Sequence, residues 1–162
     1  MMKNITLFPV GILLAAFLTG CGSRHPDGLP PLQPLTLTVT QEGKPLSDAT
    51  VFLYPADGSR SWNSGGLTES DGSLVVFTTY GGQHSGAPAG KYKVTVDCVT
   101  SDPPPPKEMT LPQYEEHNRK YPPFRIVPLQ YTDQGTTPLE IEVVKGANQL
   151  SIDIPEKVKL KI

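Results

Sequence analysis

An all-β fold, a seven- to eight-stranded antiparallel sandwich, is what this sequence of 162 residues predicts. Three observations predict it. Apolar and polar residues alternate with period two in short runs, as they do where successive strand side chains point to core and to solvent. Clusters of Gly, Pro, Asn and Asp separate those runs and read as turns. The length suits one domain with a tail, and Leu, Ile, Val and Phe, 41 of 162 residues, suffice for a small core. The charge balance, 14 Lys plus Arg against 16 Asp plus Glu, leaves no basic surplus to neutralise phosphates, so nucleic acid is not an expected partner.

Taken in order, residues 1–20 read as a processing segment. Lys3 gives a short positive start, and Ile5 to Leu18 carries no charge, the layout of a secretory signal. Those 14 residues fall short of the roughly 20 that cross a bilayer core, and they include Pro9 and Gly11. The segment ends Leu18-Thr19-Gly20-Cys21. An ordinary signal peptide with an incidental cysteine, or an uncleaved anchor, are the alternatives on these residues. The small residues before Cys21 resemble the lipobox of bacterial lipoproteins. That resemblance implies cleavage before Cys21, a diacylglycerol on its sulfur and acylation of the new N-terminus. The membrane is then a partner through Cys21, since several acyl chains anchor stably where one does not. Gly22 stands where lipoproteins kept in the inner membrane often carry Asp, which implies the outer membrane in an organism that has one. Residues 21–34 then form a lipidated, Pro-rich tether with four prolines.

The domain is expected over 35–162. Leu35, Leu37 and Val39 alternate with Thr36, Thr38 and Thr40; Glu42-Gly43-Lys44-Pro45 turns the chain; Ala49, Val51 and Leu53 form the next inward set. Pro55 opens a polar loop through Gly66, and Asp71-Gly72 marks a tight turn. Leu74 to Phe77, apolar on both faces, predicts a strand buried on both sides, and Gly81 to Gly90 predicts a loop. Tyr92, Val94, Val96 and Cys98 share one face of the clearest strand. Leu139, Ile141 and Val143, then Leu150, Ile152 and Ile154, then Val158, Leu160 and Ile162 complete the pattern. The sizeable interruption, about 101–131, opens with four prolines that suit a rigid polyproline stretch. It then offers a short helix over 112–120 with a proline near its start.

Three stretches carry a second resemblance: Gly43-Lys44-Pro45-Leu46-Ser47-Asp48-Ala49-Thr50-Val51, Thr68-Glu69-Ser70-Asp71-Gly72-Ser73-Leu74, and Gly86 to Val96. They resemble the carboxypeptidase regulatory-like domain, most of all in lipoproteins of the type abundant in planctomycetes. The later pattern of Pro128 to Tyr131, Thr137 to Val143 and Gly146 to Asn148 is similar too. The resemblance spans about 35–154. It implies a transthyretin-like, or prealbumin-like, sandwich that braces or binds without catalysing. Its motifs are mostly turn and core residues, which speak to fold more than to activity.

Chemistry-bearing residues are few. The chain ends Lys159-Leu160-Lys161-Ile162, without the Tyr-Arg-Gly-Ser of hydroxyisourate hydrolases, and it has no His-x-His pair as in intradiol dioxygenases. His25, His84 and His117 lie apart, so no metal or other cofactor is expected. Ser85 beside His84 lacks the Gly-x-Ser-x-Gly frame of a hydrolase nucleophile. Asp57, Asp71, Asp102 and Asp133 read as turn residues. Cys98 shares the inward phase of its strand and reads as a buried thiol. Trp62, with Tyr80 or Tyr114, is the candidate contact set for a sugar or peptide if exposed, and a structural anchor if not. The expected function is therefore a lipid-anchored, non-catalytic envelope module with an envelope protein or glycan as partner. A glycan- or peptide-binding accessory protein and an envelope hydrolase are the alternatives.

Overall fold

The computed structural model describes residues 27–58 and 62–162. The signal segment, Cys21 and His25 lie outside the described residues. Among the described residues, no helix is long and apolar enough to cross a membrane.

The chain forms, in order, β1 (Leu32–Gln33), β2 (Leu35–Gln41), β3 (Lys44–Pro45), β4 (Thr50–Pro55), β5 (Asn63–Leu67), β6 (Ser73–Val75), β7 (Phe77–Thr79), β8 (Gln83–Ser85), β9 (Ala87–Pro88), β10 (Gly90–Asp97) and β11 (Val99–Thr100). There follow a helix, α1 (Leu111–Lys120), then β12 (Phe124–Arg125), a 3₁₀ turn (Leu129–Tyr131), β13 (Glu140–Val143), β14 (Asn148–Ile154) and β15 (Leu160–Lys161). One sheet has the order β13-β10-β4-β5-β7-β8; the other runs β14-β2-β3, with β6 also paired to β2. The alternating residues meet between the sheets as expected, with Leu37, Val39, Val51, Val76, Val94, Val96 and Ile154 fully buried. Burying such side chains, each worth about 1.5–3 kcal/mol, holds the layers together.

Two smaller sheets cap the ends. At one end, here the near end, β1 pairs with β9, and Leu29 is buried. The stretch expected to be plain tether is thus built into the domain from Leu29 onward. At the far end, β11, β12 and β15 form a three-stranded sheet that joins the Pro-rich insert to the C-terminal tail. In the tail the strand covers Leu160–Lys161, preceded by a Val158 N–H to Ile126 carbonyl bond, and Ile162 stays exposed, so the expected longer strand there is not formed.

Other departures have local causes. The pairing is antiparallel except that β14 runs parallel to β2, Asn148 opposite Leu35 and Ile154 opposite Gln41. Both strands start at the near end. β2 does so because the chain arrives there through β1, and β14 because β13 ends there and a short turn follows. The buried Asn148 clasps that turn, taking the Val144 N–H (2.9 Å) and donating to the carbonyls of Val144 and Gly146. Leu74 to Phe77 is not buried on both faces: Leu74 and Val76 point inward, whereas Val75 and Phe77 are exposed. The segment crosses between sheets there, Leu74 pairing with Leu37 and Phe77 with Gly65.

β5 and β8 lie in stretches expected to be loops. Gly65 and Gly66 hide the alternation of β5, and the inward side chain there is polar. Ser64 is 1% exposed and shares a 2.8 Å hydrogen bond with Thr78 Oγ1, which donates to the Gly86 carbonyl. Gly65 has no room for a side chain, because a Cβ would stand 2.2 Å from the Val51 carbonyl oxygen.

Candidate functional site: a cleft at the far end

A cleft of about 1220 Å³ opens at the far end between the sandwich and the Pro-rich insert. Its sandwich wall is the turn from Gln41 to Asp48. Glu42 and Asp48 both have left-handed backbone (φ 52° and 56°), a conformation uncommon outside Gly that Asp tolerates better than most residues. The turn is fixed from beneath. The buried Thr68 hydroxyl donates to the Leu46 carbonyl (2.7 Å) and accepts the Ala49 N–H (2.8 Å), while its carbonyl accepts the Asp48 N–H. Gly72, with φ 77°, presses against Val39, where a Cβ would stand 2.5 Å from the carbonyl oxygen. The resemblance motifs around Gly43–Val51 and Thr68–Gly72 are therefore one interlocked structural knot.

The floor is Leu46, Cys98 and Ile126. Cys98 is buried, and its Sγ lies 3.6 Å from the Ser47 carbonyl. Burial pushes its thiol up to about 11; the carboxylates of Asp48 and Asp97 add to the rise, and Lys157 opposes it. It is thus a protonated spacer near neutral pH, unsuited to nucleophilic attack. Gln41 closes the base, its buried amide donating to the carbonyls of Ile126 (2.8 Å) and Glu156 (3.0 Å).

The opposite wall is the insert, from Pro104 through Met109 and Leu111 to Tyr114. Gln113 Oε1 accepts the Thr110 N–H at the start of α1, which has no buried residue. The helix is tied to the sandwich through His117, whose Nε2 lies 2.8 Å from Ser101 Oγ. Ser101 spends its only hydroxyl proton on the Pro103 carbonyl (2.8 Å), so His117 Nε2 must be the donor in that pair. Lys44, Lys107 and Lys157 stand around the cleft against Glu42 and Asp48.

The three aromatic candidates do not share a surface. Trp62 and Tyr80 flank the end of the β5–β7 pairing, one position beyond Asn63 and Thr79, at the near end. Tyr114 lines the far-end cleft. The Trp62 Nε1 is shielded from solvent without a hydrogen bond of normal geometry. It lies close enough to the Tyr92 hydroxyl to oppose the effect of burial, which lifts that group to about 12. That hydroxyl donates to the Pro88 carbonyl (2.7 Å). Tyr80 packs its hydroxyl where a Cβ on Gly28 would stand, 2.8 Å away. Trp62 and Tyr80, both half-buried, thus lie at the near end, and Tyr114 stands apart from them at the cleft.

His84 Nε2 contacts the Tyr80 carbonyl, and Ser85 sits exposed on β8. Asp71 accepts the N–H and hydroxyl of Ser73, which hold its carboxyl below the usual carboxylate range. Asp133 accepts the Gly135 N–H. Among the described residues no three His, Cys, Asp or Glu side chains come together as a metal site. Sequence reading missed Lys44, Val99 and Lys157 as cleft residues, because they join the insert only through tertiary pairing.

The fold and cleft together define an all-β sandwich with an appended arm that forms a groove. Compared with known proteins, the chain matches no family model, no curated protein and no solved structure.

Proposed function

We propose that the chain is a cell-envelope lipoprotein, anchored by acyl groups on Cys21, whose carboxypeptidase regulatory-like, transthyretin-like sandwich acts as a non-catalytic binding module. The observation that carries this reading is the polarity of the domain. The chain arrives at the near end, through Leu29 and β1, while the cleft opens at the far end. An anchor on the N-terminal side therefore turns the groove away from the bilayer, toward partners in the envelope. The cleft combines an apolar floor with polar rim groups, the general make-up of a ligand-binding concavity. Trp62 lies at the near end, away from this cleft, so the binding reading rests on the cleft and its insert wall.

The test is metabolic labelling with an alkyne fatty acid, followed by membrane fractionation. Wild type should be labelled and membrane-bound, and Cys21→Ser should be unlabelled and either soluble or unprocessed. Labelling of Cys21→Ser equal to wild type overturns the anchor. A crosslinking pull-down with wild type and an insert-deleted form then reads the binding role, which requires a partner lost on deletion.

A further inference from the structure

We infer that the cleft takes an extended acidic peptide segment, which docks by adding a short strand to the open backbone edge at Val99. This rests on the proposed function only in treating the cleft as the binding face. β11 is paired on one side alone, to β12. The Ile126 N–H donates to the Cys98 carbonyl, so Cys98 faces β12. By the alternation of antiparallel pairing, Val99 turns its own N–H and C=O to the opposite side. On that side β4 has already ended, Thr50 being its last residue opposite Asp97. The chain before Thr50 cannot close the gap, because the Asp48 N–H is held by Thr68 and the Ala49 N–H by the Thr68 hydroxyl.

A vacant edge with an exposed Val99 side chain (44%) thus faces a groove. Leu111 and Tyr114, both exposed on the insert wall, stand ready to cover alternate side chains of an added strand. Main-chain bonds to a sheet edge with side-chain pockets beside it are how β-strand addition works. Charge selects the occupant. Lys44, Lys107 and Lys157 outnumber Glu42 and Asp48 around the cleft, in a chain whose formal net charge is -2. That local reversal of sign favours acidic residues in the peptide and disfavours a second copy of this acidic chain.

The experiment uses the full chain purified from membranes in detergent, and a fluorescein-labelled peptide of alternating Val and Glu ended by Thr, read by fluorescence anisotropy. Two control peptides carry N-methyl groups on alternate residues, or Lys in place of Glu. The acidic peptide should bind, and binding should weaken as salt rises. N-methylation, which deletes backbone donors and keeps side chains, should weaken binding at least about tenfold, as should Lys for Glu. A Lys107→Glu/Lys157→Glu variant with unchanged circular dichroism should lose about tenfold for the acidic peptide and gain for the basic one. Equal binding of the N-methylated peptide, or no binding at millimolar concentration, overturns the proposal. So does a dimer in sedimentation equilibrium that the double variant dissolves, because the edge would then be taken by a second copy. Mass spectrometry of the same preparation reads Cys21 separately. An unlipidated protein that binds the peptide fails the anchor alone, and a lipidated one that ignores it fails the cleft alone.

Discussion

Gln41 links three distant parts of the chain. Its amide, 6% exposed, donates to the carbonyls of Ile126 and Glu156, tying the end of β2 to the insert and to the tail. Gln41→Leu keeps the volume and takes the donor from the Glu156 carbonyl, while the Ile126 carbonyl keeps the Val158 N–H, so unfolding in urea should show a loss of about 1–3 kcal/mol. Cys98 and Tyr92 make a second residue-level prediction. Both are acids whose folded-state values lie above the ordinary ones, 9.0 rising to about 11 and 10.0 to about 12. Well below pH 9 both are protonated in the folded and unfolded states, and neither makes stability depend on pH. Above it the unfolded chain releases protons that the folded chain keeps, so stability falls as pH rises from 9 to 12. Denaturant midpoints across that range should decline, and Cys98→Ala should flatten the part between 9 and 11; a flat wild-type profile would contradict the burial of both groups. The inward phase of Cys98 was legible from the alternation of its own strand. The fate of Trp62 was not, because its neighbour Tyr92 lies on another strand.

At the scale of elements, legibility followed the strength of the period-two signal. β2, β4, β10, β13 and β14 each show it in their own residues, and each is a strand. β5 and β8 show none, since Gly65, Gly66 and the polar Ser64 and Gln83 owe their strand conformation to neighbours in the sheet. The insert was legible as an interruption and α1 as its helix, yet the pairing of Phe124–Arg125 with β11 and β15 was not, because two residues carry no period. That pairing sharpens a deletion. Thr100 faces Phe124 across the ladder, so removing Pro103–Pro123 leaves Ser101 and Asp102 as a two-residue hairpin connection. With Asp102→Gly to supply the turn, the shortened chain should keep its β-type circular dichroism and lose only the helical signal. α1 buries no residue, so the denaturant midpoint should move little. Global unfolding would show that the insert supports the sandwich as well as walling the cleft.

At the scale of the whole molecule, both ends of the sandwich were legible as pieces and neither as an end, because the sequence does not show which strands start together. The parallel β2–β14 pair sets that polarity, and with it the distance between the N-terminal entry and the cleft. β10, eight residues long, spans about 26 Å between the ends. The eight residues from Cys21 to the buried Leu29 reach at most about 28 Å even fully extended, so a lipid anchor keeps the near end close to the headgroups. Two single-cysteine probes test the geometry. Lys145→Cys lies in the exposed turn at the near end and Leu111→Cys at the exposed start of α1 in the far-end cleft, and the buried Cys98 does not compete for label. With the lipidated protein in vesicles containing spin-labelled headgroups, fluorophores on both sites should be quenched unequally, the Lys145 site more. Equal quenching would mean that the domain lies on its side, with cleft and anchor level at the surface. Stronger quenching at Leu111 would mean that the groove faces the bilayer. The positive rim of the cleft would then be set against anionic lipid, in place of an acidic peptide.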